Sequence, residues 1–268
     1  MTLHHVTFGD GVPVLALHGW SPDHRLMTGC LEPIFADLPG YRRLYPDLPG
    51  MGQSPAGDID SSDGIMAAVR EYIDEQIDDE PFLLIGESYG GYLARALVVE
   101  RPEQILGIGL ICPVGTLWHK DRKVPEHVVL RTEPGVLESL TEGEDFTDLA
   151  VVQTAAALAA YRSDVAPGLA LADEVALERI QKNWALSIAP ESGPPYDGAS
   201  LILCGRQDSI TGYEDQFTLL PHYPRATYAV ADVAGHNLQL EQPELLAALV
   251  REWLQRVSQG LPRVATSG

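Results

Sequence analysis

The sequence predicts an α/β fold: a mostly parallel, doubly wound sheet with helices on both faces. Three observations predict it. Six short apolar runs, rich in Val, Ile, Leu or aromatic residues, are each closed by a turn signal. Stretches of helical periodicity lie between them. The two kinds of segment alternate, and strands separated by helical crossovers pair in parallel.

The elements follow in order. "VPVLAL" (12–17) ends at "HGW", and a helical pattern covers roughly 26–38. "YRRLYPDL" (41–48) ends at "PGMGQS", followed by a helix over 62–78. "PFLLIG" (81–86) runs into "ESYGG" and a helix over 89–101. "ILGIGLIC" (105–112) ends at "PVG". "ASLILCG" (199–205) ends at "RQD", with a helix over 212–220. "ATYAVADV" (226–233) ends at "AGH". The final helix, 243–258, repeats Leu245, Leu246, Leu249, Val250, Trp253, Leu254 and Val257 at helical spacing, with Pro243 near its start, where proline is tolerated.

One interval breaks the alternation. Residues 113–197 are acidic and show no convincing strand, but carry helical patterns over 146–162 and 169–187. They read as a helical insertion into a core made of 1–112 and 198–258. The tail, 259–268, has no periodicity and is expected to be poorly ordered.

Composition narrows the function. The 18 basic residues face 38 acidic ones, a net charge of −20. That disfavours nucleic acid, whose phosphates would be repelled, and anionic membrane surfaces. No apolar stretch reaches the ~18 residues of a membrane span, and the first residues do not resemble a signal peptide. Cys30, Cys112 and Cys204 are too few and too scattered for a disulfide framework. Metal-ligand spacings are absent from the sequence. The expectation is a soluble cytoplasmic protein acting on a small molecule without metal or cofactor.

The chemistry centres on Gly86-Glu87-Ser88-Tyr89-Gly90. A serine between a buried strand and a helix is either a helix cap or a nucleophile. As a nucleophile it sits on a strained turn, which needs small residues at 86 and 90. A serine hydroxyl also needs a base. Among eight histidines, His236 directly follows the last strand, at the edge where parallel sheets gather reactive groups. His4 and His5 lie near a start expected to fray, His119 and His127 lie in the insertion, and His222 lies in a connection. Asp208, just past the preceding strand, can hold the imidazole in the right tautomer, and is preferred to Asp232. Oxyanion donors are expected from the backbone N–H groups of Trp20 and Tyr89. His18 reads as a structural residue of the "HGW" loop. Trp118, Tyr161, Trp184 and Tyr196 are candidate pocket residues, although aromatics in helical blocks more often pack. Glu87 has no assigned role.

Together "HGW", "DLPGMGQS", "GESYGG", "GRQD" and "GH" resemble, in order, the α/β-hydrolase superfamily over residues 11–257. The resemblance implies that 113–197 is a cap or lid. Relatives that open epoxides or cleave carbon–halogen bonds place aspartate at the elbow, where this chain has Ser88. Carbon–carbon hydrolases usually carry "HGxGPG", from which "HGWSPD" departs. Proline iminopeptidases typically show "GGSWGG", and the acidic insertion, with Glu138, Glu142, Glu144 and Asp145, is unlike an interfacial lipase lid. The expectation is a carboxylesterase-like serine hydrolase with Ser88, His236 and Asp208 as its triad. A carbon–carbon hydrolase, an aminopeptidase and a non-catalytic ligand receptor of the same fold remain alternatives.

Overall fold

The computed structural model describes residues 2–260, so most of the expected tail, 261–268, lies outside the described residues. Among the described residues, nine strands and ten α-helices form in chain order. They begin β1 (His5–Phe8), β2 (Val12–Leu17), α1 (His24–Phe35), β3 (Tyr41–Pro46), α2 (Ser62–Gln76), β4 (Phe82–Glu87), α3 (Ser88–Glu100) and β5 (Ile105–Ile111). The segment before the next long strand holds β6 (Arg131–Thr132), α4 (Phe146–Leu149), β7 (Val152–Gln153), α5 (Ala155–Ala160), α6 (Ala166–Leu169) and α7 (Glu174–Gln181). The chain closes with β8 (Ala199–Gly205), α8 (Glu214–Phe217), β9 (Ala226–Ala231), α9 (Leu238–Glu241) and α10 (Pro243–Ser258).

Seven strands make one sheet in the order β1-β3-β2-β4-β5-β8-β9. Every pair is parallel except β1 with β3. The strand period of two divides the side chains between two cores. Leu15, Leu17, Leu84, Leu110 and Ile202 face the core that includes α2 and α3. Val14, Ala16, Leu83, Ile85, Leu201 and Leu203 face the core that includes α1 and α10. Burial on both faces explains why β4 is apolar almost throughout. Local signals start the helices. Ser61 caps α2 by accepting from the Gly64 N–H, and Asp23 caps α1 by accepting from the Arg25 N–H. Pro243 opens α10, which buries Leu246, Val250, Trp253 and Leu254.

Four expectations are corrected. The chain start does not fray: β1 pairs with β3, the Asp47 N–H donates to the His4 carbonyl, and the His4 ring lies 2.8 Å from an Asp47 oxygen. Four half-exposed residues on a sheet edge are too few to show a strand period. The 113–197 segment does contain strands, although only the two-residue pair β6 and β7. Its two long helical patterns are also cut short. Thr154 and Asp173 each accept a backbone N–H three residues on and start new helices there, so side-chain capping overrides the continuous apolar periodicity. The helix expected over 212–220 shrinks to α8, between Gly212 at φ +72° and Pro221.

Candidate active site

The sheet edge at the strands' C-terminal ends carries the chemistry. From β2 the chain steps to β3 toward one sheet edge, and from β4 it runs through β5 and β8 to β9 toward the other, which leaves a crevice at the neighbouring ends of β2 and β4. Ser88 stands at the β4–α3 junction with φ +49°, a left-handed conformation that costs a serine free energy. The close packing of the turn imposes it. A Cβ on Gly86 would lie 2.5 Å from the Gly90 carbonyl oxygen, and one on Gly90 would lie 2.2 Å from that of Leu17. No side chain fits at either position.

Three sequence-selected residues meet here. The Ser88 hydroxyl lies 3.0 Å from His236 Nε2, to which it donates when the imidazole is neutral. His236 Nδ1–H donates to Asp208 Oδ2, also at 3.0 Å. Asp208 is fully buried and accepts further hydrogen bonds from the Ile210 and Thr211 N–H groups and the Thr211 hydroxyl. The rival Asp232 is exposed and engages Gln207 and Arg206 instead. His18 sits behind the loop. Its Nε2 accepts the Leu48 N–H, so Nδ1 carries the proton and donates to the Gly19 carbonyl. Burial pushes its pKa down, which keeps that tautomer neutral. Gly19 is pressed against the elbow, since a Cβ there would lie 3.1 Å from the Ser88 Cβ. Trp20 follows it on the cavity wall. Tyr89 turns its side chain inward and donates to the Ser62 hydroxyl.

The sequence profile described as "Alpha/beta hydrolase family" matches residues 14–249. The chain belongs to this family. An α/β-superfamily hydrolase from Oenococcus oeni superposes with a TM-score of 0.88 at 30% identity, covering 95% of this chain and 96% of that one. A 2-hydroxymuconate semialdehyde hydrolase of Pseudomonas putida is 26% identical over 92% of this chain and 88% of its own length. A pimeloyl-[acyl-carrier protein] methyl ester esterase of Shewanella woodyi is 34% identical, but over only 40% of this chain and 38% of its own.

In this α/β hydrolase a cavity of about 320 Å³ opens over Ser88. Its floor includes Gly19, Glu87 and His236. Its apolar wall combines Trp20 and Leu26 with Phe146, Tyr161, Val165 and Leu169 from the segment between β5 and β8. A π-helical turn over Tyr161–Val165 supplies two of these wall residues, Tyr161 and Val165. Of the pocket aromatics expected from sequence, only Tyr161 lines this cavity. Trp118 is 48% exposed and lies on the surface. Trp184 sits one layer back, stacked on Tyr89 with ring centres 4.5 Å apart and edge-on to Trp20. Tyr196 lies at the far end of the sheet, where its hydroxyl donates to the Ile105 carbonyl. Helical periodicity marks buried residues without saying which surface they bury against.

Glu87 is the feature sequence reading missed. It is 2% exposed, yet lines the cavity, with Oε1 3.6 Å from His236 Nε2. Its polar character at the last position of buried β4 was the available signal. Burial pushes its carboxyl up to about 7, with His236 pulling the other way. Burial alone would lower the His236 pKa, but Asp208 and then Glu87 outweigh it and hold the imidazole at about 9. Burial opposes ionisation of Asp208 too, and His236 and Thr211 still keep its carboxyl below the usual range. Among the described residues, no helix is long and apolar enough to cross a membrane.

Proposed function

We propose that the protein is a serine hydrolase that cleaves a small-molecule ester through an acyl-enzyme. The supporting observation is the continuous chain of two 3.0 Å contacts from Ser88 through His236 to buried Asp208. In this reading Ser88 Oγ attacks the carbonyl carbon while His236 Nε2 takes its proton, then returns it to the departing alcohol. Asp208 orients the ring and stabilises the imidazolium. The Trp20 and Tyr89 N–H groups hold the developing oxyanion, each such donor being typically worth ~10²–10³ in rate. Water then repeats the sequence on the acyl group. The segment 113–197 serves as the cap over the 1–112 and 198–258 core and supplies the apolar wall. The unpaired cysteines suit a reducing compartment such as the cytoplasm.

A panel of p-nitrophenyl esters of rising acyl length tests this directly. Ser88→Ala is expected to lose about 10³-fold or more of the rate. A variant as fast as the parent overturns the mechanism. One second reading is favoured by the match to the 2-hydroxymuconate semialdehyde hydrolase across most of both chains. A semialdehyde of that name has no ester bond, so its hydrolysis must break a carbon–carbon bond. Faster turnover of such compounds than of any ester would select that reading.

A further inference from the structure

We propose that the cavity selects its substrate by charge: it takes esters bearing an ammonium group and rejects those bearing a carboxylate, with Glu87 as the selecting residue. This rests on the serine-hydrolase reading above and narrows its substrate class.

Glu87 occupies the free position of the nucleophile turn, where many side chains would satisfy the backbone. Here the side chain is a carboxylate, and it points into the cavity that opens over Ser88. Gly19 makes room for it: a Cβ at that position would lie 2.2 Å from Oε2. The other oxygen faces His236 Nε2 at 3.6 Å, beyond hydrogen-bond length. Asp145 and Asp148, both exposed, line the same cavity. No lysine or arginine lines it among the described residues. Arg122 acts on His236 from behind, but its guanidinium is engaged by the carbonyls of Thr116, Leu117 and Ile210.

The physical consequence follows from burial. A carboxylate taken out of water costs free energy unless a cation or hydrogen bonds compensate. The Gly19 N–H and His236 supply part of that compensation, and an ammonium group entering beside Glu87 adds to it. A second carboxylate entering there adds like-charge repulsion, in surroundings where water screens it poorly. The remaining walls include three aromatic residues, Trp20, Phe146 and Tyr161, and it is the face of an aromatic ring that attracts a cation. The base gains as well. Glu87 helps hold the proton on His236, and an ammonium paired with Glu87 cancels part of that attraction. A cationic substrate therefore favours the neutral imidazole that accepts the Ser88 proton.

Three p-nitrophenyl esters of matched chain length test this: trimethylammonio-butanoate, its uncharged tert-butyl isostere, and the hemiester of glutarate. The readout is the cation-to-anion ratio of kcat/KM at one pH above the Glu87 value of about 7, where its side chain is ionised. Such a ratio cancels any change in the nucleophile or in folding, which would move all three esters together. The parent is expected to favour the cationic ester over the anionic one by about 100-fold, and Glu87→Gln to cut that ratio by about tenfold or more. Asp145→Asn combined with Asp148→Asn is expected to cut it less, since both are exposed and screened. A parent ratio near one overturns the proposal, and needs no variant to do so. An undiminished ratio in Glu87→Gln also overturns it. Equal hydrolysis of all three esters by the parent sinks charge selection while leaving the serine-hydrolase reading intact. Failure of the parent to hydrolyse any of them, or hydrolysis by Ser88→Ala at the parent rate, overturns both.

Discussion

Two adjacent residues at the end of β4 divide the chemistry between them. Ser88 holds a left-handed backbone so that its hydroxyl reaches His236. Glu87 sends a carboxylate into the same space from the other side of the turn. His236 thus lies between two acids, Asp208 at 3.0 Å and Glu87 at 3.6 Å, with Arg122 the opposing charge. The sign of the pH dependence follows. The imidazolium is stabilised in the folded state, since its pKa is held at about 9 rather than 6.5. That contribution to stability is fully present below the unfolded value and fades as pH rises through about 9. Activity runs the other way, because the base must be neutral. The rate should therefore climb with pH as the imidazolium loses its proton. Removing the Glu87 charge lowers the His236 pKa, and a charge this close is typically worth ~1–3 pKa units. The acid limb of kcat/KM for a neutral ester is expected to move at least one unit lower in Glu87→Gln. A limb that stays in place would show that the two groups do not interact.

At the scale of elements, legibility tracked how local each signal is. The six strands beneath the site are short runs rich in apolar or aromatic residues and closed by turn residues, and the sequence marks both features. The nucleophile turn was legible because its glycines at 86 and 90 have no substitute. The segment between β5 and β8 was not, because its helices are cut by side-chain caps at Thr154 and Asp173 and by the π turn at Tyr161–Val165. Its contribution to the cavity depends on where it docks, which no local pattern records. Two charged side chains, one half-buried and one buried, tie the segment to the core. The Glu241 carboxylate accepts the N–H groups of Val151, Val152 and Gly235, joining β7 to the His236 loop. Arg95, on α3 two turns beyond Ser88, forks onto Glu191 and also donates to the Val114 carbonyl. It thereby ties the nucleophile helix to both ends of the segment. Its guanidinium is 3% exposed. Arg95→Met should leave Glu191 without its cation in a largely buried place and cost about 3–5 kcal/mol, measured by urea unfolding. Combining it with Glu191→Met should recover most of that loss. If the single variant is no less stable than the parent, the pair does not hold the segment.

The whole molecule carries a charge problem that local pairing does not solve. With 38 acids and 18 Lys and Arg residues, 38 − 18 = 20 carboxylates have no basic partner even if every cation is engaged. Compact folding brings these charges together, and their mutual repulsion opposes the folded state. Salt weakens that repulsion, since the Debye length falls from ~30 Å at 0.01 M to ~10 Å at 0.1 M ionic strength. Salt also weakens attractive surface pairs such as Arg42–Glu80 and Arg101–Asp74. These are worth little singly, whereas the buried Arg95–Glu191 fork is shielded from solvent ions. Repulsion therefore decides the sign, and added salt should stabilise the fold at neutral pH. A gain of about 1 kcal/mol would raise Tm by about 2–4 °C in a chain of this size. The gain should shrink as pH approaches the isoelectric point near 4.6, where protonation removes the repulsion that salt would otherwise screen. Thermal melts across a salt series at two pH values read both effects. A Tm that falls with salt at neutral pH would mean that ion pairs, rather than excess negative charge, govern the stability of the surface.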